Sequence, residues 1–476
     1  MTGSLPKLAG LLLGTTIAIL LLRIEAKAQN GSFNWESPQV IFDVGSSGSV
    51  FNPFVIEDST GTVYVLWEVS DEIDPSRNGI YCVANDGLAW LQPVDVLVAP
   101  NDGRTFWPRH FQDDQGIVHL VWVGPNGTLY YSRANSEEVC QARAWETTVI
   151  PSPYEVLYGD IAVDRQSNLH VAYSVSGNNV YYLQSSDGGV RWSDPLTVSS
   201  VQQGVATSFP SIAVDQSGRI HVTWEEGTLP TGLPDLGQYY AMSSDFGQTW
   251  SIPLQLIGGG YTQPNVAALE DGSIHLIWNG RIGTRGRYHQ WSVDGGMTWS
   301  DITEFLPKSL GGGQTGTPSY ASDSAGSMYV VTGNEDTTII QWDGRKWLTP
   351  TAIMSFEQFG NMEHQNITIS RGHIFHVVAN GNNQVIAYIR GENDAPEIIV
   401  ENPSNTPTAE TEPDPVSVTS ADANVSPPVV PTLVTWTEQN NPPSSQTSPA
   451  RAVIVGAGSV VGLMIVLVLF VRIRNR

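Results

Sequence analysis

The chain has 476 residues, 41% of them hydrophobic and only 15% charged, with 46 glycines, 30 prolines and 15 tryptophans. Its 47 acidic and 23 basic residues leave a net charge of −24, which repels phosphate backbones and argues against nucleic acid as a partner. Two cysteines, Cys82 and Cys140, are too few for a disulfide scaffold or a four-ligand zinc site, and leave one bridge or none.

Residues 1–28 have the pattern of a secretory signal. Lys7 gives a basic start, Leu8–Leu22 an apolar core, and Ala26-Lys27-Ala28 a small-residue cleavage site before Gln29. The core is shorter than the ~20 residues a spanning helix needs, which favours cleavage.

Residues 29–395 carry an internal repeat. A turn followed by an alternating strand recurs as Gly61-Thr-Val-Tyr-Val-Leu-Trp67, Gly116-Ile-Val-His-Leu-Val-Trp122, Ser167-Asn-Leu-His-Val-Ala-Tyr173 and Gly218-Arg-Ile-His-Val-Thr-Trp224. It continues as Gly272-Ser-Ile-His-Leu-Ile-Trp278, as Gly326-Ser-Met-Tyr-Val-Val-Thr332, and as a weaker copy from Gly372. A short apolar strand precedes each copy, often opened by proline (Pro53, Pro108, Pro210, Pro264, Pro318). A third strand follows, and a fourth begins at Trp-x-x-Pro: Trp90/Pro93, Trp192/Pro195, Trp250/Pro253 and Trp347/Pro350.

Four short strands in each repeat of roughly 50 residues describe the blades of an all-β propeller. Seven copies favour seven blades; six is the alternative count, because the last copy is degenerate. That copy lacks a fourth strand, and Trp35-Glu-Ser-Pro38-Gln-Val-Ile-Phe42 at the other end of the repeat region supplies the missing signature. The N-terminal strand is therefore expected to close the ring and remove an unpaired edge.

Three blades carry a sharper turn motif between their third and fourth strands. It reads Ser185-x-Asp187-x-Gly189-x-x-Trp192, Ser243-x-Asp245-x-Gly247-x-x-Trp250 and Ser292-x-Asp294-x-Gly296-x-x-Trp299. Asp can accept N–H bonds across a tight turn, Gly permits positive φ, and Trp packs into the blade. The pattern resembles the Asp-box (bacterial neuraminidase) repeat of sialidase-like propellers over residues 29–395. That resemblance implies that the boxes support the fold on the face opposite the active site. His119, His170, His221 and His275 hold one position in four successive blades, so they are spread around a ring and cannot converge on one metal.

The resemblance places function on the loops entering each inner strand and leaving each second strand. These carry Arg104, Trp107 and Arg109 in blade 2, Tyr158 and Asp160 in blade 3, Glu225 and Glu226 in blade 4, and Tyr261, Arg281, Arg285 and Arg287 in blade 5. Glu68 and His364 belong to the same face. Sialidases grip a sugar carboxylate with three arginines and attack with a Tyr activated by Glu, so Arg109, Arg281 and Arg285 become candidate carboxylate binders and Tyr158/Glu225 a candidate nucleophile pair. Their first arginine stands in an Arg-Ile-Pro-type motif; the corresponding stretches here are Phe51-Asn52-Pro53 and Phe106-Trp107-Pro108. The preferred expectation is thus a glycan- or protein-binding module using Arg104, Trp107 and Tyr261, with an anchored exo-glycosidase as the alternative. Neither a metal nor a cofactor is expected.

Residues 396–450 turn to Pro, Thr, Ser, Asn and acidic residues, the composition of a disordered stalk. Ala452–Val471 is uncharged over a length that crosses a bilayer, and Arg472, Arg474 and Arg476 mark its cytoplasmic end. The expected order is signal (1–28), propeller (29–395), stalk (396–450), transmembrane helix (451–471) and cytoplasmic tail (472–476), with the propeller outside the cell.

Overall fold

The computed structural model describes residues 33–398, apart from 176, 178, 229–234, 281–285, 308–317 and 334. The expected signal, transmembrane helix and tail lie outside the described residues, as do Arg281, Arg285 and all but the first residues of the stalk. Those first residues lie against the propeller: the Ile398 N–H donates to the Arg371 carbonyl at 2.8 Å, three residues past the expected boundary.

Seven antiparallel sheets make a seven-bladed propeller. The first blade runs through Gly48–Glu57, Val63–Asp71, Gly79–Asn85 and Val94–Leu97. The seventh takes Met362–Ser370, Ile374–Gly381 and Val385–Glu392 from the end of the repeat, and its outer edge from the start. Asn34–Trp35 and Gln39–Asp43 both pair with Val385–Glu392, Trp35 opposite Gly391 and Gln39 opposite Tyr388. The ring closes as the sequence predicts.

The second strands are apolar and β-branched because neighbours cover both faces. Val63–Asp71 and Leu169–Val175 are buried at every residue. The turns that enter them share one device. Asp58, Asp113, Asp164, Asp215 and Asp323 each accept backbone N–H bonds from two and four residues further on, at 2.8–3.0 Å. In three of these blades the second oxygen of the same Asp meets His Nε2 (His119, His170, His221), and the other ring nitrogen meets a third-strand tyrosine (Tyr131, Tyr182, Tyr240) at 2.7 Å. The ring of histidines is structural, one to a blade.

That tyrosine reaches the next blade. Tyr131, Tyr182 and Tyr240 meet Trp192, Trp250 and Trp299 edge-on at 5.0–5.4 Å. Each tryptophan ends one of the Ser-x-Asp-x-Gly turns. In these, Ser Oγ accepts the Gly N–H (2.8–2.9 Å), and Asp Oδ1 accepts the N–H four residues on (2.8 Å). Such bonds hold Asp187, Asp245 and Asp294 down at about 2, with side-chain donors Arg191, Thr249 and Thr298 the leading cause. Oδ1 of each is committed to the turn, since it also accepts from the Ser Oγ–H. Cys82, on the third strand of blade 1, and Cys140, after that of blade 2, form a disulfide with Cα atoms 5.2 Å apart.

Candidate functional site: the mouth of the central channel

The seven inner strands surround a channel of about 610 Å³. Five of them lose register over two residues near one end: Asn52-Pro53, Trp107-Pro108, Phe209-Pro210, Gln263-Pro264 and His364-Gln365. The first residue of each pair has φ between 47° and 55°. Left-handed backbone at non-glycine residues is costly and persists only where its surroundings impose it. Proline explains part of the bulge, because it has no N–H to give to the ladder. The bulges crowd Asn52, Trp107, Phe209, Gln263 and His364 around one end of the channel, and the residues after them line its wall.

Two carboxylates fasten these bulges from the preceding blade. Glu68 and Glu225 both follow a second-strand tryptophan (Trp67, Trp224). Glu225 Oε2 accepts from Thr262 Oγ1 (2.7 Å) and from the Gln263 N–H (3.4 Å) on blade 5. Glu68 Oε2 accepts from Asn52 Nδ2 (3.1 Å), and its carboxyl faces the Trp107 N–H on blade 2. Glu68 is 1% exposed and its Oε1 has no hydrogen-bond partner. Burial raises its pKa to about 7, only partly opposed by exposed Arg104 and the bond from Asn52.

Of the expected nucleophile pair, Glu225 bonds forward to Thr262 and Gln263 on blade 5. Tyr158 packs into an aromatic cluster, 5.0 Å from Trp107 and 4.4 Å from Phe209 between ring centres, with Trp107 and Phe209 5.3 Å apart. Trp107 is 5% exposed, so its faces are occupied by neighbours and not by solvent. Tyr261 is half-buried against Tyr288 at 5.0 Å.

Arg109 is the one cationic side chain among the described residues lining the channel. Its guanidinium carbon lies 4.9 Å above the Trp107 ring, a cation–π contact. Burial lowers its pKa, opposed by the charge of Asp160 and by Tyr320. Asp160 accepts the Ile212 N–H at 3.0 Å, and burial holds its pKa above the usual range in spite of Arg109. Two further wall residues are imidazoles. His110 stacks on Phe54 at 4.1 Å and His364 meets Phe51 edge-on at 6.2 Å. Burial, then the Arg109 charge, lowers them to about 3 and about 4, so both are neutral at physiological pH. A wall with one aromatic-backed cation, one carboxylate and two neutral imidazoles can hold a small polar ligand with an acidic group.

Asp160, His364 and Glu68 were legible as members of this face; His110 and Tyr320 were not. The available signal was the proline that opens an inner strand: His110 and Tyr320 stand two residues after Pro108 and Pro318. Among the described residues, no three His, Cys, Asp or Glu side chains are grouped to hold a metal.

No protein-family model and no curated protein matches the sequence. Solved structures share the fold at low identity. One is a polysaccharide lyase, an ulvan lyase with bound saccharide, 12% identical over 75% of this chain and 97% of that one, with a TM-score of 0.50. A Hadza microbial sialidase is 14% identical over 72% and 66% (TM-score 0.39). The α-L-arabinanase of Penicillium chrysogenum is 14% identical over 64% and 98% (TM-score 0.45). The chain is thus a seven-bladed propeller whose structural neighbours include sialidases, other glycosidases and polysaccharide lyases; identities this low speak for fold alone.

Proposed function

We propose that the chain is a membrane-anchored cell-surface protein whose propeller binds a glycan, or a glycan-bearing surface protein, at the mouth of its channel. The observation that carries this reading is Arg109: a guanidinium backed by Trp107, facing a polar cavity beside Asp160, His110 and His364. A fork-shaped cation in a partly desolvated wall suits a carboxylate or sulfate substituent on a sugar. The three Ser-x-Asp-x-Gly-x-x-Trp turns support placing the propeller among the Asp-box repeats of sialidase type. The anchor rests on the signal at 1–28, the polar stalk and the uncharged Ala452–Val471 with its basic flank. The propeller is then extracellular and the C-terminus cytoplasmic.

An anchored exo-glycosidase is the second reading, and Glu68 favours it. A carboxyl with a pKa near 7 keeps a proton available for a leaving group at neutral pH. The two readings separate on full-length protein in detergent, tested against a panel of acidic and neutral oligosaccharides and a fluorogenic sialoside. The binding reading expects saturable binding of an acidic oligosaccharide without turnover. Turnover that is lost in Glu68→Gln and Arg109→Ala would establish the hydrolytic reading instead.

A further inference from the structure

The opposite face holds a second feature, independent of the channel. In the turns of blades 3 and 5 the residue after the Asp is glycine, Gly188 and Gly295, with φ of 71° and 74°. In blade 4 the same place is Phe246, at φ 59° and 52% exposed. A bulky side chain in left-handed backbone is strained, and an exposed phenyl ring gains little from burial to offset it. The ring lies over Gly218 of its own blade, and about half of the residue stays exposed at a position where its neighbours use glycine.

The space beside it is also unlike its neighbours. Arg133 from blade 2 lies over Gly188, and Arg219 from blade 4 lies over Gly295, leaving no room for a Cβ on either. At the boundary of blades 3 and 4 both arginine positions are changed. Gln184 stands opposite His170 as Arg133 stands opposite His119, and Asn168 precedes His170 as Arg219 precedes His221. The shorter side chains leave a groove of about 500 Å³ with Phe246 at its edge. Ser186, Asp187 and Arg191 line the same groove. Arg191 is 87% exposed at its side chain and bonds Asp187 Oδ2 through Nε at 2.8 Å. No described bond uses its terminal nitrogens.

We infer that this groove is a second saccharide-binding site, in which a sugar ring stacks on Phe246 and its hydroxyls bond the Asp187–Arg191 pair, Gln184 and Asn168. One flat apolar plate bordered by amide, carboxylate and guanidinium groups matches a pyranose, which has an apolar C–H face and a polar rim. Strain at Phe246 is retained because the ring serves the ligand, as strained backbone does at binding sites.

The test uses full-length protein with cellohexaose, maltohexaose, laminarihexaose and mannohexaose as probes, read by isothermal titration and saturation-transfer NMR. The site predicts saturable binding of at least one hexaose, weakened tenfold or more in Phe246→Gly and retained in Phe246→Trp. Arg109→Ala leaves this binding unchanged, which separates the groove from the channel. Phe246→Gly also melts at the same temperature as the parent or higher, since glycine relieves the backbone. The inference is overturned if none of the four hexaoses binds, or if Phe246→Gly binds as tightly as the parent. It is equally overturned if Phe246→Gly melts lower, because the ring would then be a structural plug.

Discussion

Glu57 Oε2, on the inner strand of blade 1, lies 2.8 Å from His376 Nε2 on the second strand of blade 7. In blades 2, 3 and 4 the acid that meets this histidine comes from the same blade (Asp113, Asp164, Asp215); at the closure it crosses the seam. Ser370 Oγ donates to the same oxygen at 2.7 Å, and Arg371 lies 3.3 Å from Oε1. The polar contact thus joins the blade pair that the N-terminal strand also closes. Both side chains are nearly inaccessible, 7% and 1% exposed. Glu57→Ala leaves buried His376 Nε2 with only Ser370 Oγ, at 3.0 Å, and is expected to lower stability by about 1–3 kcal/mol. Urea unfolding of the variant against the parent checks this.

The same carboxylate sets an acid limit. Burial opposes its charge, but His376, Ser370 and Arg371 outweigh burial and hold its pKa below the usual carboxylate range. Its contribution is complete above the unfolded value, near 4.5, and is lost as pH falls through the lower folded value. In Glu57→Gln this segment of the stability–pH curve flattens.

Histidines act earlier on the way down. From blade 6 the Trp347 Nε1–H donates to His289 Nδ1 of blade 5 at 3.0 Å, so His289 Nε2 carries the proton that reaches His275 Nδ1 at 2.8 Å. His275 Nε2 then donates to Ser273 Oγ at 2.8 Å. An extra proton on either ring breaks the chain, and burial lowers His275 to about 4 and His289 well below its ordinary value. Stability is therefore full above the unfolded value of 6.5 and falls between pH 6.5 and 4, by about 3 kcal/mol for His275. Denaturant midpoints taken across this range should decline; a flat profile would show that the pair is not buried neutral.

Glu68 gives the opposite sign. Its folded pKa near 7 exceeds the ordinary 4.5, so stability is lost as pH rises from 4.5 through 7. Glu68→Gln removes the buried charge and should stabilise by up to about 3 kcal/mol at pH 8.5, with a difference near zero at pH 4. Equal effects at both pH values would rule out a titrating Glu68.

Cys82–Cys140 ties two adjacent blades across 58 residues of sequence. Cys82→Ser with Cys140→Ser, or reduction, is expected to lower stability by about 2–5 kcal/mol. Thermal melts with and without reductant measure it, and the double variant should be insensitive to reductant.

What the sequence made legible was local and periodic. Turn glycines, alternating strands and the Trp-x-x-Pro signature each lie within a few residues, so seven blades and the closing strand at Trp35 could be placed before any coordinates. The bridge between Cys82 and Cys140 could not, because it depends on the distance between blades. The bonds that Glu225 makes to Thr262 and Gln263 could not be read for a similar reason. They depend on the bulge at Thr262–Asn265, which presents the Gln263 N–H to the carboxylate. Positive φ at Asn52, Trp107, Phe209 and Gln263 has no signal in the sequence, since residues before proline ordinarily favour extended backbone.

The most direct test of the channel-face account is the affinity of full-length protein for carboxylate-bearing oligosaccharides, measured by isothermal titration for the parent and for Arg109→Ala. The account predicts saturable binding in the parent and a loss of tenfold or more in the variant, with the fold intact by circular dichroism. Binding that is indifferent to Arg109, or no binding by well-folded parent, would contradict it.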